Sequence, residues 1–147
     1  MARPVICCDT SFLFSIYAEN AHAPKALRFL RRLDRPVLLS AFNDYEIRAA
    51  LLFSEYRGEL ARGEASMCLS EYESDLLRGR FHSVTVSFES VLTRANQLAQ
   101  RFTLSHGARS FDLLHVASAL SLGADSFLTF DRVQQKIAIA EGMKSPW

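Results

Sequence analysis

The chain has 147 residues, 49% hydrophobic and 22% charged, with four prolines, six glycines and a formal net charge of +1. This is the composition of a single globular domain that buries a core without disulfides or a structural metal. It excludes a long linker or low-complexity tail, a membrane span of ~20 apolar residues, and a polyanion partner recruited by overall charge alone.

Val5–Cys8 is an apolar run too brief for a helix and is read as the first strand. Asp9-Thr10-Ser11, all good helix N-caps, then precede the apolar segment Phe12–Tyr17. A second helix is predicted from about Ala23 to Leu33, ended by Pro36, and Val37–Leu39 reads as a second strand. Two long helical patterns follow, from Ser40 to about Arg57 and from about Gly63 to Arg78. They form an αα-hairpin over residues 40–80. His82–Val86 alternates like a strand, and Glu89 to Phe102 reads as helix. Ser105–Ser110 is a polar break, Asp112 opens a helix to Leu122, and Ser126–Phe130 is the last strand. Asp131 starts a helix reaching about Ala140, and the tail adds a short strand or stays loose. Strands separated by helices imply parallel βαβ units with helices on both faces of the sheet. The predicted fold is a three-layer α/β domain spanning 1–147 with a helical hairpin on one side.

Several chemistries drop out on motif grounds. The six glycines form neither a Walker loop nor a GxGxxG turn, and no CxxC, HExxH or paired-histidine spacing suggests zinc. The adjacent Cys7 and Cys8 would point to opposite faces of a strand, so the three cysteines make no disulfide framework. The N-terminus meets an acid too early for a signal peptide, which makes a reducing cytoplasm the expected compartment. Fourteen of seventeen basic residues are arginine, and Arg28, Arg31, Arg32 and Arg35 recur at helical spacing. Guanidinium forks suit phosphate, although a solvated face with local ion pairs is the plainer account.

In open parallel α/β sheets ligands gather beyond the carboxyl ends of the strands. Asp9 follows the first strand and Asp131 the last. Glu46 lies near the start of the helix fed by the second strand, and Asp112 lies at a helix N-terminus. Each has a structural explanation. Asp9, Asp112 and Asp131 can cap their helices, and Glu46, three residues after Asn43, fits a capping box. Taken together, four capping acids aimed at one crevice would repel each other unless a cation neutralised them. An all-oxygen set suits Mg²⁺ or Mn²⁺.

The ordered set Cys8-Asp9-Thr10-Ser11, Asp44-Tyr45-Glu46, Ser110-Phe111-Asp112-Leu113-Leu114-His115-Val116-Ala117-Ser118-Ala119 and Leu128-Thr129-Phe130-Asp131 resembles the PIN-domain nucleases. It most resembles the toxin of VapBC-type toxin–antitoxin modules, and the match runs over essentially the whole chain. The resemblance implies a PIN-like domain and a Mg²⁺- or Mn²⁺-dependent endoribonuclease, with Asp9, Glu46, Asp112 and Asp131 as catalytic metal ligands. It also implies Ser11 and Thr129 as supporting hydroxyls, a cognate antitoxin protein as partner, and a homodimer. Asp44 is a rival to Glu46, but residues two apart face different sides of a helix, and Glu46 is preferred.

The reaction so implied is metal-assisted hydrolysis of an RNA phosphodiester. His115, three residues after Asp112, is expected in a supporting or core role, and Arg109 is a candidate phosphate contact or an ordinary loop arginine. A receiver domain is disfavoured because His82–Ser87 carries no Asp, and a haloacid-dehalogenase-type phosphatase because position 11 is Ser. The competing readings are a PIN-like RNA-binding or scaffold domain without cleavage activity, and a PIN nuclease that is not a toxin. The segment 11–17 and the hairpin carry more apolar residues than one sheet face absorbs: Phe12, Leu13, Phe14, Tyr17, Leu51, Leu52, Phe53, Tyr56, Met67, Leu69, Tyr72 and Leu76. About half are expected to pack internally. The rest should form a groove for an amphipathic helix of the antitoxin, which could also push a basic residue toward the acids and displace the metal.

Overall fold

A computed structural model describes residues 2–147. The strands are β1 (Ile6–Cys8), β2 (Val37–Leu39), β3 (Phe81–Ser83) and β4 (Ser126–Leu128). The helices are α1 (Thr10–Tyr17), α2 (Ala23–Arg32), α3 (Ala41–Tyr56), α4 (Glu64–Leu77), α5 (Phe88–His106), α6 (Ser110–Ser121) and α7 (Arg132–Ala140). All strand pairs are parallel, in the order β3-β2-β1-β4. This is the expected α/β architecture, a parallel sheet between two helical layers.

The period-two alternation of a strand separates two cores. Ile6, Cys8, Val37, Leu39, Phe81 and Leu128 join the core that contains Phe12, Leu13, Ile47, Leu51 and Tyr72 from α1, α3 and α4. Cys7 and Phe127 join the opposite core with Val91, Leu98, Val116 and Ile137 from α5, α6 and α7. The adjacent cysteines thus face opposite layers, as their spacing predicts, and all three thiols are buried and free. On the first face the Tyr17 hydroxyl donates to the buried Asp75 carboxylate at 2.7 Å, fixing α1 against α4.

The strand order has a functional consequence. From β1 the chain moves outward through β2 to β3, then returns to place β4 on the other side of β1. The direction of winding reverses at the β1–β4 pair, where Cys8 is in register with Leu128. A crevice opens at such a switch point, outside the carboxyl ends of the two strands. Asp9 and the segment Thr129–Asp131 leave those ends.

Several boundaries depart from the sequence reading, among them the last strand, which ends at Leu128 rather than Phe130. The third strand is Phe81–Ser83 rather than His82–Val86, because the buried Phe81 pairs with Val37 and the alternation beyond it lies past the ladder. The fifth helix continues through the expected break to His106. Gly107 ends it in a left-handed cap (φ 68°), its N–H bonded to the Thr103 carbonyl. The sixth helix begins at Ser110, which makes Asp112 its third residue rather than its opening one. The tail contributes a single bridge, Ser126 to Lys144.

Candidate functional site

Asp9 leaves β1 and caps α1, and its burial is almost complete (1% exposed). Its Oδ1 accepts from the Phe12 N–H at 3.1 Å, and the Ser11 hydroxyl lies 2.8 Å from both carboxylate oxygens. Oδ2 also accepts from the Thr129 hydroxyl at 2.8 Å and from the Gln134 amide at 3.0 Å. Burial pushes this carboxyl up to about 6, and the bonds from Ser11, Thr129 and Phe12, with the nearby His115, hold it from rising further.

Asp131 caps α7, its Oδ1 accepting from the Gln134 N–H at 2.9 Å. The Thr129 hydroxyl accepts from the Asp131 N–H at 2.9 Å and donates to Asp9, so one threonine ties the two acids at the switch point together. Asp112 accepts from the Arg109 N–H at 3.2 Å, the backward bond of a capping box. Burial raises its carboxyl, and the Arg109 N–H counters; the negative charges of Asp131 and Glu46 raise it further. Asp112 therefore senses two other acids of the set.

Glu46 does not close a capping box, as its spacing from Asn43 would allow. Asn43 takes that role, accepting from the Ser40 N–H at 2.9 Å, because it sits at the third helical position. Glu46, one turn further along α3, bonds instead to His115 Nε2 at 3.1 Å. Burial pushes the Glu46 carboxyl up, but the bonds from His115 and Thr10 and the charges of His115 and Arg109 outweigh it and hold the group below its ordinary range. His115 is buried and also contacts Thr10 (3.3 Å) and Asn43 (3.4 Å), so it braces the site rather than facing it.

The four acids Asp9, Glu46, Asp112 and Asp131 line one cleft of about 420 Å³, together with Ser11, His22, Phe130 and Gln134. Asp44 lies elsewhere. It pairs with Arg48 at 3.1 Å and accepts from the Tyr72 hydroxyl at 3.0 Å. Arg109 is highly exposed and stands 3.9 Å from Asp112.

The residue that sequence reasoning missed is Gln134. Its Nε2 donates to Asp9 at 3.0 Å and to Asp112 at 3.2 Å, bridging the two carboxylates, while its buried Oε1 has no partner among the described residues. A glutamine three residues after an N-cap reads as the second half of a capping box. Here Thr129 already satisfies the Asp131 N–H, which frees Gln134 to turn inward. Among the described residues no group of three or more His, Cys, Asp or Glu side chains stands in ready ligating geometry. The Gln134 amide lies between two of the acids that would have to close on an ion.

A family model described as the PIN domain matches residues 6–140. No curated protein matches the sequence. Among solved structures the fold is similar to FitAcB from Neisseria gonorrhoeae, with TM-score 0.65, 20% identity and 96% of each chain covered. It is also similar to a toxin–antitoxin complex from Klebsiella pneumoniae, with TM-score 0.62, 14% identity, and 97% of this chain and 98% of that one covered. A third likeness is to VapBC2 from Rickettsia felis bound to a promoter DNA fragment, with TM-score 0.60, 14% identity and 86% and 87% covered.

Proposed function

Because this chain belongs to the PIN domain family, we propose that it is a divalent-metal-dependent endoribonuclease and the toxin of a toxin–antitoxin pair. The observation that carries the reading is the gathering of Asp9, Glu46, Asp112 and Asp131 around one cleft at the switch point of the sheet. PIN domains are generally nucleases, and one of the similar folds named above is a toxin–antitoxin complex.

The donor chemistry fits Mg²⁺ or Mn²⁺. Every candidate ligand is a carboxylate oxygen, the kind of donor that hard cations take. Asp9 and Asp112 are both held above their ordinary range, so a cation would relieve charge that burial and like-charge neighbours make costly. When bound, such an ion lowers the pKa of water and offsets negative charge on the phosphate. The chain's own contribution is positional. Asp9 and Asp112 would hold the ion, with Glu46 and Asp131 as the remaining carboxylates of the same cleft. Ser11 and Thr129 fix the Asp9 carboxylate, and Arg109 reaches toward phosphate from the exposed rim. His115 keeps Glu46 turned into the cleft.

The antitoxin is read as an amphipathic segment covering the apolar outer face of the hairpin, and a second copy of this chain is the expected homodimer partner. No helix among the described residues is long and apolar enough to cross a membrane. The test is incubation of a total cellular RNA pool with the purified chain. Cleavage with Mg²⁺ or Mn²⁺, abolished by EDTA and in Asp9→Asn, is the expected result. RNA binding without cleavage under every divalent ion would overturn the nuclease reading in favour of an RNA-binding domain.

A further inference from the structure

Of the predicted arginine stripe, Arg28, Arg31 and Arg32 lie on α2 and Arg35 lies beyond its end. Arg35 is taken up by Asp34, with bonds of 2.8 and 3.1 Å. Lys25, Arg28 and Arg32, spaced three and four residues apart, share one exposed face of the helix and, among the described residues, pair with no carboxylate. Among the other arginines Arg48 is held by Asp44 and Glu73, and Arg94 and Arg101 by Glu141, whereas Arg31, Arg62 and Arg78 also lack a carboxylate partner among the described residues. Lys25, Arg28 and Arg32 line a groove of about 260 Å³ whose other walls are Phe29, Pro146 and Trp147.

Trp147 connects that groove to the acidic cleft. Its ring stacks on Phe130 (centroids 4.9 Å apart, planes within 14°), and Phe130 stacks on His22 (4.3 Å, 8°). Phe130 and His22 line the cleft that holds the four acids, and His22 is the exposed end of the stack. The platform is anchored. Asn20 accepts from the His22 N–H at 2.9 Å and donates to the Ser15 hydroxyl at 3.1 Å, which donates to the Ser11 carbonyl at 2.9 Å. The exposed ring is thus tied through α1 to the segment that carries Asp9.

A row of unpaired cations leading into an aromatic stack is the chemistry that holds single-stranded nucleic acid. Cations take the backbone phosphates, and an aromatic face takes an unpaired base. We infer that the Lys25–Arg28–Arg32 face of α2 and the His22–Phe130–Trp147 stack form the track along which single-stranded RNA enters the acidic cleft. The three cations hold successive phosphates, and His22 stacks on the base beside the phosphate presented to the acids. This inference rests on the RNA-nuclease reading for the identity of the polymer. The charge belongs to α2, and the stack joins the loop before it to Phe130 after β4 and Trp147 in the tail.

The experiment measures binding of a fluorescein-labelled single-stranded 12-mer RNA to the full-length Asp9→Asn protein without metal, by anisotropy across a salt series. In that background Lys25→Ala/Arg28→Ala/Arg32→Ala should weaken binding at least tenfold and flatten the log–log salt slope by about 2, at roughly 0.7 per lost single-strand phosphate contact. The charge-matched control Arg57→Ala/Arg62→Ala/Arg78→Ala should bind within twofold of its parent. His22→Ala should weaken binding about tenfold with the slope unchanged, and His22→Phe should restore it. Emission from Trp147, the sole tryptophan, should change on RNA addition in the parent and not in the α2 triple variant. Equal losses in the α2 and control triples would overturn the track, as would a His22→Ala effect that follows salt. So would tighter binding of duplex RNA or of an acidic peptide than of the single strand. Cleavage by the wild-type chain in Mn²⁺ is scored separately. An inactive protein that still shows the α2 and His22 effects removes the nuclease reading and leaves the track.

Discussion

At the scale of single residues, the chemistry of the cleft turns on how Asp9 bears its charge. A rise from 3.8 to about 6 corresponds to roughly 3 kcal/mol against the ionised form at neutral pH. The sign follows from linkage. The folded state binds this proton more tightly than the unfolded chain, so the contribution to stability is full below pH 3.8 and is lost as pH rises through about 6. Asp9→Asn lacks that dependence, and the new amide can bond to the unpartnered Oε1 of Gln134 once that side chain turns over. Urea titrations between pH 4 and 7.5 should therefore show Asp9→Asn gaining on wild type as pH rises, by on the order of 1–3 kcal/mol at pH 7.5. RNA cleavage should fall to background. Metal binding has the opposite pH dependence, because the ion needs the ionised carboxylate. The Mn²⁺-induced rise in melting temperature should be large at pH 7.5 and shrink below pH 6. A metal response that is flat across that range would remove Asp9 from the ligand set.

At the scale of elements, the site exists because caps and strand ends coincide. Asp9 directly follows β1, Asp131 lies three residues past β4, and each caps the following helix, so the local signal that starts α1 and α7 also delivers a carboxylate to the crevice. This is why both were legible in the sequence: a strand, an acid and a helical pattern are all local. Asp112 was legible only as a helix-start acid, and its register depended on where α5 stopped. Gln134 was not legible. Its role arises from competition between Thr129 and Gln134 for one N–H, and that is decided by the fold. His115 links helices in the same long-range way, with Asp112 on its own α6 turn and Glu46, Asn43 and Thr10 from two other elements. His115→Leu should cost about 2–3 kcal/mol, because the buried Asn43 and Thr10 lose a partner. It should also weaken Mn²⁺ binding by roughly 10–100-fold, as loss of a group that orients a ligand does. Calorimetric titration of Mn²⁺ into folded protein separates the two effects. Unchanged affinity in a destabilised variant would reduce His115 to a packing role.

At the scale of the whole molecule, the layer plan was readable because hydrophobic alternation and helix punctuation agree, down to Cys7 and Cys8 facing different cores. The surface was less readable, since a list of apolar residues does not say which of them the hairpin absorbs. Phe12, Leu13, Tyr17, Leu51 and Tyr72 are buried, and Phe14, Leu69 and Leu76 pack partly against the same core. Leu52, Phe53, Tyr56 and Met67 remain exposed on α3 and α4, with Phe53 and Tyr56 stacked at 5.9 Å. Large apolar side chains exposed three and four residues apart on α3 offer a surface to a partner helix, whose anchors would recur at the same spacing. If that partner is the antitoxin, Phe53→Glu/Tyr56→Glu should abolish complex formation with the product of the neighbouring gene when the two are co-expressed. The fold and the metal-dependent cleavage should be retained, because neither side chain touches the cleft or the core. The variant would then be active and no longer inhibited, a phenotype read as growth arrest that the neighbour fails to rescue. A complex that survives the double substitution with full inhibition would move the antitoxin off the hairpin and leave its exposed aromatics to a contact between copies of this chain.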